Sequence, residues 1–290
     1  MDSFFSHCIA PEIVFRGGDA WEKALQLIPS ISTRPLFLGR SRSTLHLRNR
    51  LLNDLKQSGL KPFSAELKYD CCDSDLDSLK LFASRYSCNG VIAAGGGKVL
   101  DAGKLLAHYL KIPCITVPLS ASTCAGWTAL ANIYSPDGAY IRDEILERCP
   151  TLLVFDHGLV RQAPIRTLSS GIADGLAKWY EASVSSAHSK DALVQQAVQM
   201  SRVLRDQLLI DSNKALEYLL SEEWILVAEC CALSAGLIGG IGGACCRTVA
   251  AHAVHNGLTQ LEATHENLHG EKVGFGILVQ LKLEEMIGDN

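Results

Sequence analysis

The 290 residues are enough for one large or two ordinary domains, and 48% hydrophobic with 20% charged residues is the composition of a globular protein with a sizeable core. A net charge of −4 leaves no basic footprint for nucleic acid. Met1 to His7 lacks a basic region followed by an apolar run, which predicts no signal peptide and a cytoplasmic protein.

In chain order, Pro11 to Gly18 reads as a strand and turn, with Asp19 as the cap of a helix running to about Ile28. Arg34 to Gly39 reads as a strand and Ser43 to Ser58 as a helix. Ser64 to Leu67 is a weak strand, and Ser74 to Tyr86 a helix. Val91 to Ala94 is a short apolar run bounded by glycine, which suits a parallel strand covered on both faces. Gly95, Gly96 and Gly97 then allow a sharp turn into a helix from Lys98 onward. Free N–H groups, the positive helix end and the Lys98 charge together predict a phosphate-binding turn. Neither stock motif fits: Val99 follows Lys98 where a P-loop needs Ser or Thr, and Leu100 stands where the dinucleotide fingerprint needs glycine.

Ile112 to Pro118 is the next strand, Ser135 to Gly138 a turn within a hairpin, and Leu152 to Phe155 the last strand. Strands alternating with helices predict a parallel sheet with helices on both faces and ligands at the carboxyl ends of the strands. Gly95–Gly97 and the stretch Leu119 to Thr123 both fall there. After Asp156 only helical periods remain: Ser169 to Ser186, Asp191 to Ile210, Asn213 to Leu220, Glu222 to Ile238, Ala244 to Gly257 and Lys272 to Ile287. The predicted class is therefore α/β followed by all-α. A Rossmann-like parallel-sheet domain spans 1–158 and a helical domain 159–290, with a ligand cleft between them.

Two features could mislead. The 23 residues Trp224 to Cys246 carry one charge, Glu229, and are long enough to span a bilayer. The buried acid and the glycines at 239, 240, 242 and 243 favour instead a wholly buried helix followed by a glycine loop, and no membrane association is expected. Eleven cysteines include the adjacent pairs Cys71-Cys72, Cys230-Cys231 and Cys245-Cys246 but no C-x-x-C. They are expected to be small buried apolar residues in a reducing compartment.

Of nine histidines, four fall between 252 and 269: His252, His255, His265 and His269. His252 and His255, three apart, share a helix face. Asp174 sits in the first turns of a helix that is apolar at Ile172, Leu176 and Trp179, so it needs solvent or a partner. Two imidazoles, one carboxylate and an open fourth position make a catalytic zinc or iron arrangement. Spacing does not say which two histidines bind.

Gly95-Gly96-Gly97-Lys98-x-x-Asp101, Ser122-Thr123, Gly171-Ile172-Ala173-Asp174, His252-Ala253-Val254-His255-Asn256-Gly257 and His269-Gly270-Glu271-Lys272-Val273 follow one another in this order. From about Pro11 to its end, the sequence resembles the glycerol dehydrogenase branch of the iron-containing alcohol dehydrogenases, which have a dehydroquinate synthase-like fold. The resemblance implies a divalent metal on Asp174, His252 and His269, with His255 near the nicotinamide. It implies that Gly95 to Lys98 hold the pyrophosphate, with Asp101 beside it. Leu119, Ser122, Thr128, Leu130 and Tyr134 match positions around the rest of the dinucleotide. Zinc is the first choice of metal, with nickel, iron or manganese as alternatives. A small-molecule substrate and a homo-oligomer are expected.

Three departures refine this expectation. Glycerol dehydrogenases carry an aspartate after Ser-Thr, where this chain has Cys124, and a thiol cannot replace a carboxylate as a hydroxyl acceptor. The stretches around Ser122 and Asp174 look more like the hydroxycarboxylate dehydrogenases, which reduce 2-oxo acids. Lys178, four residues after Asp174, would then meet the substrate carboxylate or else pair with a nearby acid. Second, NAD-dependent relatives often have an acid after the second strand. Gly39-Arg40-Ser41-Arg42 stands there instead, which leans toward NADP(H) through Arg40. Third, the family's helical domain continues well beyond the His269 motif, whereas this sequence ends at Asn290. That implies a fragment or a partly open site, with the apolar face at Ile277, Leu278 and Leu281 needing a partner such as a second subunit. The expected activity is interconversion of a secondary alcohol or 2-hydroxy acid with its ketone or 2-oxo acid. The alternatives are a polyol dehydrogenase, a dehydroquinate synthase-type lyase lacking its basic phosphate-binding residues, and a non-catalytic nucleotide- or metal-binding relative.

Overall fold

The computed structural model describes residues 8–246 and 249–288, apart from the side chains of Ala244 and Cys245. The expectations on Met1 to His7, the Cys245 thiol and Asn290, and the early part of the Ala244 to Gly257 helix at 247–248, lie outside the described residues.

The first half is a parallel sheet of β1 (Ile13–Gly17), β2 (Pro35–Gly39), β3 (Phe63–Glu66), β4 (Gly90–Gly95), β5 (Cys114–Pro118) and β8 (Leu152–Asp156). Their spatial order is β1-β8-β5-β4-β2-β3, with every pairing parallel. Strands β2, β4, β5 and β8 are buried from end to end, which is why their sequences read as largely apolar runs rather than alternating ones. Helices α1 (Ala20–Ile31), α2 (Leu45–Gln57), α3 (Asp73–Arg85) and α4 (Gly97–Leu110) supply the crossovers. On one face Ile28, Leu51 and Leu55 pack against Phe37, Ile92 and Val154; on the other Leu76, Leu100 and Leu105 pack against Leu36, Val91 and Ala93. Gly95 pairs with Pro118, so the glycine turn after β4 and the loop after β5 leave the sheet side by side. The predicted turn Ser135 to Gly138 closes an antiparallel hairpin of β6 (Leu130–Tyr134) and β7 (Tyr140–Ile145).

The second half is helical: α5 (His157–Val160), α6 (Ile165–Ser185), α7 (Ala192–Glu217), α8 (Glu222–Glu229), a π turn at Cys230–Ser234, α9 (Ala235–Gly242), α10 (Ala250–Leu258) and α11 (His269–Gly288). Its core joins Leu168 and Ile172 of α6 to Leu204 and Leu208 of α7 and Val227 and Ile238 of α8 and α9.

Local readings failed at three places, each for a tertiary reason. Asp19 does not cap α1; it pairs with Lys23 on the surface (2.8 Å), and the Trp21 N–H donates to Asp156 Oδ2 (3.1 Å). Asp156 Oδ1 accepts from Leu159 N–H (3.0 Å), so one carboxylate at the end of β8 caps both α1 and α5. The break expected at Asp211-Ser212 is absent, because α7 keeps Leu204, Leu208 and Ala215 on one buried face through it. Gly239, Gly240 and Gly242 continue the helix, and only Gly243, with φ +58°, ends it. A Cβ on Gly240 would lie 2.0 Å from the Ile9 carbonyl oxygen, so glycine there admits a neighbouring backbone.

The apolar stretch Glu222–Gly242 is long enough to cross a membrane, but 61% of its most apolar window is buried inside the protein. Its charge is accounted for: Glu229 accepts from Arg16 Nη1 (2.5 Å) and pairs with His157 Nε2 (3.0 Å), tying α8 to β1 and α5. The ten described cysteines are unbridged and seven are buried. Burial pushes the thiols of Cys71 and Cys231 well up and that of Cys230 to about 11, as for inert core cysteines.

Candidate active site

The carboxyl edge of the sheet faces α6, α10 and the start of α11 across a cavity of about 690 Å³. The glycine turn forms one wall. Gly96 is extended (φ −83°, ψ −176°) and Gly97 opens α4, so the first N–H groups of that helix face the cavity with Lys98. Lys98 Nζ pairs with Asp70 and stands 4.7 Å from the centroid of the Tyr134 ring. Arg40 Nη1 pairs with the other oxygen of Asp70 (2.8 Å), so this carboxylate, at the end of the loop after β3, joins the two expected nucleotide-binding cations.

Asp101 lies one helical turn inside the wall. It is buried, paired with Lys104 (2.9 Å), and accepts the Asn132 N–H (3.2 Å). Burial raises its pKa against the opposing pull of Lys104. Lys104 also donates to the carbonyls of Thr128 and Leu130, which fixes the edge of the hairpin beside the cavity. Ser122, Thr128, Leu130 and Tyr134 line that side. Leu119 does not reach it: its side chain is buried among Ile92, Val117 and Val154, and its N–H donates to Gly95 O (3.0 Å).

The opposite wall carries Asp174 and Lys178 from α6, His252 and His255 from α10 and His269 from α11. Asp174 Oδ1 is 3.4 Å from His252 Nε2 and 3.3 Å from His269 Nε2. The three ligand atoms all lie within 4.8 Å of one another. A tetrahedral ion bound at roughly 2.0–2.2 Å holds its ligands about 3.3–3.6 Å apart, so this donor set fits a divalent metal. His265 stands outside the group, with its Nε2 near the Thr259 carbonyl (3.2 Å).

The electrostatics follow from burial among charges. Burial alone would raise the Asp174 carboxyl, but Lys178, His269 and the hydrogen bond to His252 hold it well below its ordinary value. Burial works against a charged His252, yet its hydrogen bonds to Asp174 and Glu181 raise it to about 9. Burial and His269 push His255 down to about 3, so it is neutral. Cys124 lines the same wall, its thiol pushed up by burial and only partly lowered by Lys178.

A pH dependence follows for the metal-free protein. The folded pKa of His252, about 9, exceeds the ordinary 6.5, so folding favours its protonated form. That contribution is complete below pH 6.5 and is lost as the pH rises through about 9. Thermal melts of chelator-treated protein across this window are expected to show a falling melting temperature for wild type and a flatter one for His252→Gln; equal slopes would contradict it.

Glu181 escaped the sequence reading. It lies on the face of α6 shared by Asp174 and Lys178, at spacings of four and three, and is fully buried. Its Oε1 accepts the N–H groups of Val249 (2.8 Å) and His252 (2.9 Å), and its Oε2 lies 2.5 Å from His252 Nδ1. The spacing was the available signal. Asp70, in an irregular loop, offered none.

Residues 11–157 match the family described as iron-containing alcohol dehydrogenase. An oxidoreductase of Synechocystis sp. described as uncharacterized is 48% identical over 286 residues, 98% of this chain and 74% of its own length. Hydroxycarboxylate dehydrogenase A of Escherichia coli is 37% identical over 219 residues, 73% of this chain and 60% of its own. Among solved structures, a probable glycerol dehydrogenase from Sinorhizobium meliloti superposes with a TM-score of 0.83 at 28% identity, covering 94% of this chain and 76% of that one.

Proposed function

Because this chain belongs to the iron-containing alcohol dehydrogenase family, alongside its glycerol dehydrogenase-like members, we propose that it interconverts 2-hydroxy acids and 2-oxo acids with a nicotinamide cofactor and a divalent metal. The observation that carries this reading is the convergence of Asp174, His252 and His269 in one cavity with the glycine turn. In this reading residues 1–158 form the dinucleotide-binding domain and 159–290 the metal-binding domain.

When bound, the metal supplies a Lewis acid for the substrate oxygen and the nicotinamide gives or takes the hydride. Asp174, His252 and His269 hold the metal, with zinc as first choice and nickel, iron or manganese compatible with the same donors. The N–H groups at Gly95, Gly96 and Gly97, with Lys98, hold the pyrophosphate; Asp101 braces that wall through Lys104. Ser122, Thr128, Leu130 and Tyr134 flank the rest of the dinucleotide. Arg40, anchored on Asp70 beside Ser41 and Thr44, is set to receive a 2′-phosphate, which favours NADP(H). The hydroxyl proton leaves through water rather than through His255, whose two ring nitrogens are engaged by Asn256 and His269.

Lys178 is the residue that selects acids. It is buried on the metal-facing wall next to Cys124, and its ammonium receives the substrate carboxylate. Lys178→Met is expected to lower kcat/KM for 2-oxoglutarate or oxaloacetate by roughly 10–100-fold, the worth of a hydrogen bond to a charged group, and that for dihydroxyacetone by less than about threefold. Metal content is followed in parallel, because Lys178 also helps keep Asp174 ionised. Equal losses on both substrates would remove Lys178 from this role. Dihydroxyacetone turned over in place of the acids would favour the second reading, a polyol dehydrogenase, which the likeness to the probable glycerol dehydrogenase supports.

The proposal extends to a cytoplasmic homo-oligomer. Of the α11 residues expected to need cover, Ile277 is buried within the chain, whereas Leu278 and Leu281 are exposed at 66% and 39%.

A further inference from the structure

We propose that Glu181 and the His255–Asn256 pair decide which ring nitrogen each metal-binding histidine presents, an inference that rests on the metal reading above. A neutral imidazole has one protonated nitrogen and one lone pair, and only the lone pair can bind a metal. The proton on the far nitrogen therefore has to be placed by a neighbour.

For His252 the neighbour is Glu181, fully buried on α6. Its Oε1 is taken up by the backbone N–H groups of Val249 and His252, and its Oε2 faces His252 Nδ1 at 2.5 Å. An ionised carboxylate only accepts, so Nδ1 carries the proton and Nε2 is the atom directed at Asp174. The two backbone bonds also pin the start of α10, so one side chain sets both the position and the tautomer of the ligand.

For His269 the arrangement is a relay. Asn256 Oδ1 lies 2.9 Å from His255 Nδ1 and accepts its proton. His255 Nε2 is then an acceptor, and it lies 2.9 Å from His269 Nδ1, which donates to it. His269 Nε2 is left as a lone pair 3.3 Å from Asp174 Oδ1. The two routes come from different helices and end with two Nε2 atoms converging on one carboxylate oxygen. Both nitrogens of His255 are engaged in this chain, so His255 acts through His269 and is a positioning residue.

The test is metal affinity, measured on the full chain by competition for Zn(II) with a chromophoric chelator and by the absorption spectrum of the Co(II) form. Glu181→Gln has one acceptor oxygen for three N–H donors, so either the cap of α10 or the Nδ1 proton loses its partner. Its affinity is expected to fall roughly 10–100-fold, with a changed Co(II) spectrum. Should that variant fail to fold, His255 supplies an independent pair. His255→Leu offers no acceptor to His269 and is expected to lose affinity by a similar factor. His255→Gln can present its carbonyl oxygen to His269 Nδ1 and is expected to recover most of the loss. Wild-type affinity in both Glu181→Gln and His255→Leu, or no recovery in His255→Gln, would overturn the inference while leaving the metal site standing. Wild-type protein that binds no metal, or Asp174→Ala that binds it undiminished, would overturn the metal reading itself.

Discussion

Asp174→Ala is expected to abolish stoichiometric metal binding and to lower turnover on the order of 10³-fold or more, since a Lewis acid contributes several kcal/mol and each 1.36 kcal/mol is tenfold in rate. Asp174 Oδ1 is the atom shared by both histidines, at 3.4 and 3.3 Å, and without it two neutral donors remain. The carboxylate is also the partner that offsets nearby positive charge, so the alanine variant loses stability as well as metal. Asp174→Asn keeps the volume but not the charge, and is expected to lose metal and turnover while keeping the wild-type secondary structure, with a smaller loss of stability than the alanine variant because it leaves no cavity. Metal analysis after gel filtration, steady-state rates and far-UV circular dichroism check the three parts. Turnover surviving in metal-free Asp174→Asn would remove the metal from the mechanism.

Gly270→Ala is expected to be the most disruptive substitution outside the ligands. An added Cβ would lie 1.7 Å from the Ser170 carbonyl oxygen and 2.5 Å from its carbon, and neither is a flexible side-chain end. The Gly270 N–H also donates to Ser170 Oγ (2.9 Å), so α11 and α6 are joined where they touch. Overpacking of this kind costs about 1–3 kcal/mol, and relief requires α11 to move away from α6. His269 is the adjacent residue and moves with it, away from Asp174. A misplacement of about 1 Å at such a site can cost roughly 10²-fold in rate. The expected result is a lower melting temperature together with weaker metal binding. Gly257→Ala is the matched control: it lies within α10, a Cβ there meets nothing within 4 Å, and the helix should gain roughly 0.5–1 kcal/mol.

The sheet was legible because β2, β4, β5 and β8 are covered on both faces, so burial writes itself into the sequence as short runs dominated by Val, Ile, Leu, Ala and Phe without polar alternation. The glycine turn was legible for a similar reason: three glycines between such a strand and a helix have few other uses. Asp174, His252 and His269 were suggested by residue type and narrowed by resemblance, and they lie together across separations of 95 residues and fewer. What the chain did not disclose depends on contacts between distant segments. Asp156 caps α1 from 135 residues away, so Asp19 looked like the cap only because it was next in line. The glycines of α9 read as a loop because the Ile9 backbone that fills their place lies far off in the sequence. Glu181 meets His252 across 71 residues, and its spacing from Asp174 marks a shared face without naming what that face meets.

The most direct test of the account is cofactor oxidation by chelator-treated protein before and after Zn(II) is restored, with NADPH and NADH in parallel against 2-oxoglutarate, oxaloacetate and dihydroxyacetone. No oxidation is expected without metal, with recovery once it is restored, faster turnover of the 2-oxo acids than of dihydroxyacetone, and a preference for NADPH. Oxidation that is indifferent to metal, or none with any substrate while metal and nucleotide are both bound, would contradict it.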